Sequence, residues 1–305
     1  MSTSPYRRPE QPASGFILQP RDRKILKTVV THRFVRSDHV RDLLFPDKCL
    51  RVVQVRLRKL WEHRYLARYF VPKIWNVPEP AMVRPGQPVY GLDEAGVALF
   101  ADSENAHAIV AKYRAGKVSS SCLEHNLVAT DFLVSTALAC SGRKDLQLVE
   151  AESEASFWHK ITEWKAKGNR GQFIIPDCGV TLANEKGERL TFYVEVVRAD
   201  VKGGNGHLIR KLDHYVKLLR EGFFKKVYGH DHLRAVIIAT TSGNRADNLR
   251  ELAKSLTNGR RLFWFGSFQT KGEDGSNIST ITRDTILAKK WMTADGELLS
   301  IAEAV

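Results

Sequence analysis

The chain has 305 residues, 43% of them hydrophobic, which is enough to bury sizeable cores and favours two domains over one. Its four cysteines, Cys49, Cys122, Cys140 and Cys178, form no CxxC pair and join no histidine cluster, which argues against a disulfide framework or structural zinc and leaves them as ordinary buried thiols. The net charge of +13 is uneven: residues 1–90 hold 18 Lys/Arg against 7 Asp/Glu, a net +11, and the rest hold 29 against 27, so the partner expected at the N-terminal end is a polyanion.

Residues 1–19 open with MSTSPYRRPEQPASG, which has two arginines and no apolar h-region behind them, and read as a flexible, solvated tail. No run in the chain approaches the length of a membrane span, so no membrane partner and a cytoplasmic location are expected. A short amphipathic helix is predicted over QPRDRKILKTVVTHRF, with Ile25, Leu26, Val29 and Val30 as its stripe and Asp22 near its start. A second follows in RSDHVRDLLFP, with Ser37 as N-cap and Pro46 stopping it after Phe45. The third, KCLRVVQVRLRKLWEH, repeats apolar residues at Leu50, Val53, Leu57 and Leu60 and puts Arg51, Val55, Arg58 and Lys59 on or near the opposite face.

Two β-type runs, RYLARYFVP and PVYGLDEAG, then flank a proline-rich loop and lead into a short helix through Leu99. Three helices followed by a two-stranded hairpin is the order of a winged helix-turn-helix domain, expected over residues 20–100. In that arrangement the third helix enters the major groove of double-stranded DNA and the hairpin lies along the backbone. Arg51, Arg58 and Lys59 are then the candidates to approach base edges, and Arg64 and Arg68 the candidates for phosphates. A small protein-interaction domain with a solvated basic helix is the bland alternative.

Residues 101–120 read as a linker or connecting helix, and a second, α/β domain is expected over 121–305. Its predicted order is helix 121–140, strand 145–150, helix 154–167, strands 172–183 and 190–198, helix 206–221, strand 233–240, helix 244–257 and strand 261–266, with a less regular tail. In IIPDCGV, Asp177 follows a proline at the end of an apolar run; in RLTFYVEVVRAD, Glu195 sits inside an apolar strand. A carboxylate in a strand interior is costly unless neutralised. Paired across the hairpin, the two would hold a hard divalent cation, Mg²⁺ or Mn²⁺, able to activate water and to stabilise charge on a phosphodiester.

The arrangement Pro176-Asp177 with Glu195 on the next strand, inside an αβββαβ core, resembles the PD-(D/E)XK nuclease superfamily. The order of a basic winged helix, EHNLVATDF, IIPDCGV, FYVEVVRAD and LIRKLDHYVKLL, over most of residues 20–265, resembles the replication-relaxation family of plasmid and mobile-element proteins. That resemblance implies that Asp177 and Glu195 are metal ligands and that Glu124 is an accessory acid. The superfamily's lysine two residues after the acid is Val197 here, so the cation would come from Lys211, opening KLDHY on the next helix, or less readily from Arg198. The HDH at 230–232 reads as a surface turn, Trp158 and Trp164 as core, and KGGNGH at 202–207 as a mobile loop. Three functions stay open: a metal-dependent endonuclease or nicking enzyme, a DNA-binding regulator or replication accessory factor with a degenerate nuclease fold, and a protein-interaction module with an incidental basic face, which the N-terminal charge disfavours. Double-stranded DNA is the expected partner and a homodimer is left open.

Overall fold

The computed structural model describes residues 6–7, 15–70, 88–100, 118–198, 205–256, 260–271 and 277–305. Contacts divide the chain into two compact units, Met1–Thr130 and Asp131–Val305.

In the first unit, β1 (Tyr6–Arg7) is followed by α1 (Pro20–His32), β2 (Val35–Arg36), α2 (Ser37–Leu44), α3 (Leu50–Glu62), β3 (Leu66–Phe70), β4 (Pro88–Leu92) and α4 (Glu94–Leu99). Helix α1 starts where predicted because Pro20 takes the first position, where its missing N–H is no loss, and the Asp22 carboxylate reaches back to accept from the Gln19 N–H at 2.7 Å. Asp22 is fully buried and is paired with the guanidinium of Arg56 on α3, which ties the two helices together. The predicted stripes converge: Ile25, Leu26 and Val29 of α1 and Val53, Leu57 and Leu60 of α3 share one core with Leu66 and Tyr90. The sheet order is β1-β3-β4-β2, with β3 and β4 antiparallel from Leu66↔Leu92 to Phe70↔Pro88.

Four expectations for this unit are corrected. Tyr6–Arg7, read as part of a flexible tail, pairs with Tyr69 and Arg68 of β3. Ser37 is the first residue of α2 and not its cap; Arg36 holds that position, its N–H bonded to Nδ1 of His39 at 3.3 Å. Cys49 is exposed and Cys122 half-buried, so only Cys140 and Cys178 are buried thiols. The division between units falls inside α5 (Ser120–Cys140), later than the boundary at 121, because the first half of that helix packs on the N-terminal core: the Thr130 hydroxyl donates to the Phe34 carbonyl at 3.0 Å. Residues 101–117 of the expected linker lie outside the described residues.

The second unit is a mixed α/β layer structure. After α5 come β5 (Leu146–Ser153), α6 (Glu154–Ala166), β6 (Cys178–Asn184), β7 (Arg189–Val197), α7 (Asn205–Arg220), a π-helical turn (Phe224–Tyr228), β8 (Leu233–Thr240), α8 (Gly243–Ala253) and β9 (Phe263–Ser267). A small hairpin, β10 (Gln269–Lys271) with β11 (Asn277–Ser279), stands apart; β12 (Trp291–Thr293), β13 (Leu298–Leu299) and α9 (Ile301–Ala304) close the chain. The seven-stranded sheet runs β13-β12-β9-β8-β7-β6-β5. Strands β5, β6 and β7 form an antiparallel meander, β7, β8 and β9 are parallel, and β12 returns antiparallel to β9. Parallel neighbours need crossovers, which α7 and α8 supply. Strand β8 is accordingly apolar on both faces, with Val236, Ile237, Ile238 and Ala239 all buried.

The predicted strand over 172–183 begins only at Cys178, since Pro176 has no N–H to give to a ladder. The tail is more regular than expected, because β12 and β13 extend the sheet. Asn205–His207 of KGGNGH are the first turn of α7, and 202–204 lie outside the described residues. Trp158 and Trp164 are half-buried on α6, edge-on against Phe173 and Phe223.

Candidate functional site

The β6–β7 register pairs Cys178 with Val194, and one further step sets Asp177 opposite Glu195. Opposed residues of an antiparallel pair project from the same face, so the hairpin brings the two carboxylates together. Asp177 is the last residue before the ladder, and its side chain turns onto β7: the backbone N–H of Asp177 donates to the Val194 carbonyl at 3.1 Å, while Oδ2 accepts from the Val196 N–H at 2.7 Å. Two residues on, Gly179 leaves room for the aromatic floor of the site, since a Cβ there would lie 2.9 Å from Tyr193 and 3.0 Å from Phe157.

Alternation along β7 puts Tyr193, Glu195 and Val197 on the face covered by α7, whose Leu208, Leu212 and Tyr215 belong to the same apolar core. Lys211 and Tyr215 are one helical turn apart, so both side chains reach Glu195 from a single face. The Lys211 ammonium pairs with Oε2 of Glu195, and the Tyr215 hydroxyl donates to Oε1 at 2.5 Å. Glu195 is 3% exposed. Burial pushes its carboxyl up to about 7, against the pull of Lys211 and with help from the Asp177 charge. Burial drags Lys211 down, but the charges of Glu195 and Asp177 outweigh it, and its pKa ends above the usual lysine range. The thiol of Cys178, buried beside the two carboxylates, is pushed well up and stays protonated, which removes it as a nucleophile.

The structure therefore gathers Asp177, Glu195 and Lys211, and adds Tyr215. The sequence signal for Tyr215 was its four-residue spacing from Lys211 in KLDHY. Glu124 is buried on α5. Val197 is half-buried apolar packing on the Glu195 face, and Arg198 is half-buried, its carbonyl accepting from Arg245 at 3.1 Å.

A second polar cluster lies further along the same face of the sheet and corrects the reading of 230–232. His230 is buried, although Asp231 and His232 are exposed. Its Nδ1 lies 2.5 Å from the Tyr193 hydroxyl and its Nε2 2.9 Å from Oε2 of Glu152 and 3.5 Å from Glu150. The Lys160 ammonium sits 2.5 Å from Glu152 and 3.4 Å from Glu150 and donates to the Tyr228 carbonyl at 3.0 Å. Burial alone would lower the His230 pKa, but its bonds to Glu150 and Glu152 raise it overall. Glu150, Glu152 and His230 could each offer a ligand atom to a cation, yet the Lys160 ammonium already pairs with both glutamates. The i, i+2 pair of acids at the end of β5 was the signal that sequence reasoning passed over.

In the first unit, Arg51, Arg58 and Lys59 are exposed on α3, Arg58 in an i, i+4 pair with Glu62 at 2.8 Å. The two arginines assigned to the hairpin are held differently. Arg64 lies in the turn before β3 with φ 59°, half-buried, and Arg68 is half-buried with its guanidinium 3.7 Å over the Trp61 ring. No helix among the described residues is long and apolar enough to cross a membrane.

A family model described as replication-relaxation matches residues 26–232, more than half of the chain and all of the elements that build the Asp177 cluster. No curated protein and no solved structure matches.

Proposed function

The chain belongs to the replication-relaxation family, which indicates a role in plasmid or mobile-element replication or mobilisation, and from that premise we propose that it acts on double-stranded DNA. The first unit binds the duplex through α3 in the manner of a winged helix. The second, a mixed sheet whose order runs α5-β5-α6-β6-β7-α7-β8, is a nuclease-like domain that cuts or nicks with a divalent ion. The observation that carries this reading is the convergence of Asp177, Glu195 and Lys211 from two paired strands and the crossover helix.

The donor set fits an oxygen-preferring ion such as Mg²⁺ or Mn²⁺: two opposed carboxylates, one of them buried where its own charge is unfavourable. Asp177 and Glu195 would hold that ion, which supplies an activated water and charge stabilisation at a scissile phosphate. Lys211, paired with Glu195, offers an ammonium for the phosphoryl oxygens, in the role that Val197 cannot fill. Tyr215 fixes the Glu195 carboxylate through Oε1.

The test incubates supercoiled and linear DNA with the full chain and Mg²⁺ or Mn²⁺, beside Asp177→Ala. Cleavage that disappears in the variant is expected. Val197 and the direct pairing of Glu195 with Lys211 favour a second reading, a DNA-binding accessory factor with a silent site. Tight binding without cleavage by either protein would establish that second reading in place of the first.

A further inference from the structure

We propose that Val52 and Val55 of α3 form an apolar contact for the C5-methyl groups of thymines in the major groove, so that the helix reads T-containing steps by shape as well as by charge. The inference rests on the DNA-binding reading above and deepens it.

Val52 is 53% and Val55 51% exposed, on a helix whose other face, Val53, Leu57 and Leu60, is fully committed to the core. The helix therefore needs neither valine for folding. β-Branched residues are also poor helix formers at positions where packing does not decide. At 100° per residue, Val55 lies in the middle of the exposed arc, one turn from Val52 and Arg51 on one side and from Arg58 and Lys59 on the other. An apolar spot ringed by three cations suits neither solvent nor an apolar protein partner. It does suit a polyanion whose groove floor carries methyl groups. In B-form DNA the thymine methyl is the one apolar feature of the major groove, and small aliphatic side chains are its usual partners. The flanking cations match the phosphates that border that groove.

The experiment enriches a duplex from a random pool with the full chain, then compares it by fluorescence anisotropy with the same duplex carrying deoxyuridine for every thymine. Loss of one buried methyl contact corresponds to about a four-fold weakening. The wild type is expected to lose about four-fold for one contact and about sixteen-fold for two. Val52→Ala/Val55→Ala, substitutions at exposed sites that favour the helix, should bind the two duplexes within about two-fold of each other, with unchanged circular dichroism. Equal affinity of the wild type for both duplexes, or an undiminished thymine preference in the double variant, overturns the inference and leaves DNA binding standing. A chain that binds no duplex overturns both. If Val55→Asp converts a dimer to a monomer while DNA affinity holds, the face belongs to a second copy of the chain, and the inference fails.

Discussion

Replacing Lys211 by Met should destabilise the protein in a way that depends on pH, because it removes the cation paired with a carboxylate that is 3% exposed. Glu195 titrates near 7 with Lys211 in place, raised by burial from the ordinary 4.5. A raised acid stabilises the fold fully below its unfolded pKa and loses that contribution as pH rises toward its folded pKa. In the wild type the decline thus runs from about pH 4.5 to about pH 7 and then stops. Without Lys211 the folded pKa moves higher, so the decline continues, at about 1.4 kcal/mol per pH unit, until the new pKa is reached. At pH 5 both proteins hold a protonated Glu195, and the variant loses only a hydrogen bond, about 1 kcal/mol. At pH 8 the loss should exceed that by about 1.4 kcal/mol, about 2.4 kcal/mol in all, a little under the roughly 3–5 kcal/mol that removing one partner of a fully charged buried pair costs. Urea unfolding at the two pH values measures both numbers, and Lys211→Met/Glu195→Gln should abolish the difference between them. The same loss at pH 5 and pH 8 would refute the argument, since Lys211 would then not be the group that neutralises Glu195.

The second cluster has its own pH signature: His230 is raised above 6.5, so its contribution is complete below that value and is lost as pH climbs through the folded pKa. Glu152→Gln should lower the histidine and flatten that part of a thermal-stability profile above pH 6.5, while a histidine ring titration by NMR moves to lower pH. Gly179→Ala pushes a methyl into Tyr193 and Phe157, with contacts of 2.9 and 3.0 Å; a loss of about 1–3 kcal/mol in chemical denaturation is expected, and none would mean that the aromatic floor yields freely. Lys59→Ala, exposed on α3, should leave thermal stability unchanged but reduce the slope of log K against log salt for duplex DNA by about 0.9. An unchanged slope removes Lys59 from the phosphate contacts.

The sequence by itself determined the elements whose residues repeat with a clear period. The stripes of α1 and α3, the apolar β8 and the crossover helix α7 were legible because a face that must leave water imposes its spacing on the chain. The opposition of Asp177 and Glu195 was legible too, since one short hairpin joins their strands and its register follows from the turn. Other features depended on what the chain places together over long distances. The i, i+4 spacing puts Lys211 and Tyr215 on one face of α7, but that this face meets Glu195 is decided by how α7 packs on β7, which no local pattern encodes. His230 looked like a solvated loop residue because its neighbours are polar. Its burial follows from Tyr193, Glu152 and Lys160, lying 37, 78 and 70 residues away in the chain, which satisfy its polar atoms inside a core that would otherwise reject them. Tyr6–Arg7 paired onto β3 for the related reason that an exposed strand edge offers backbone partners to any segment that reaches it, whatever that segment's side chains predict.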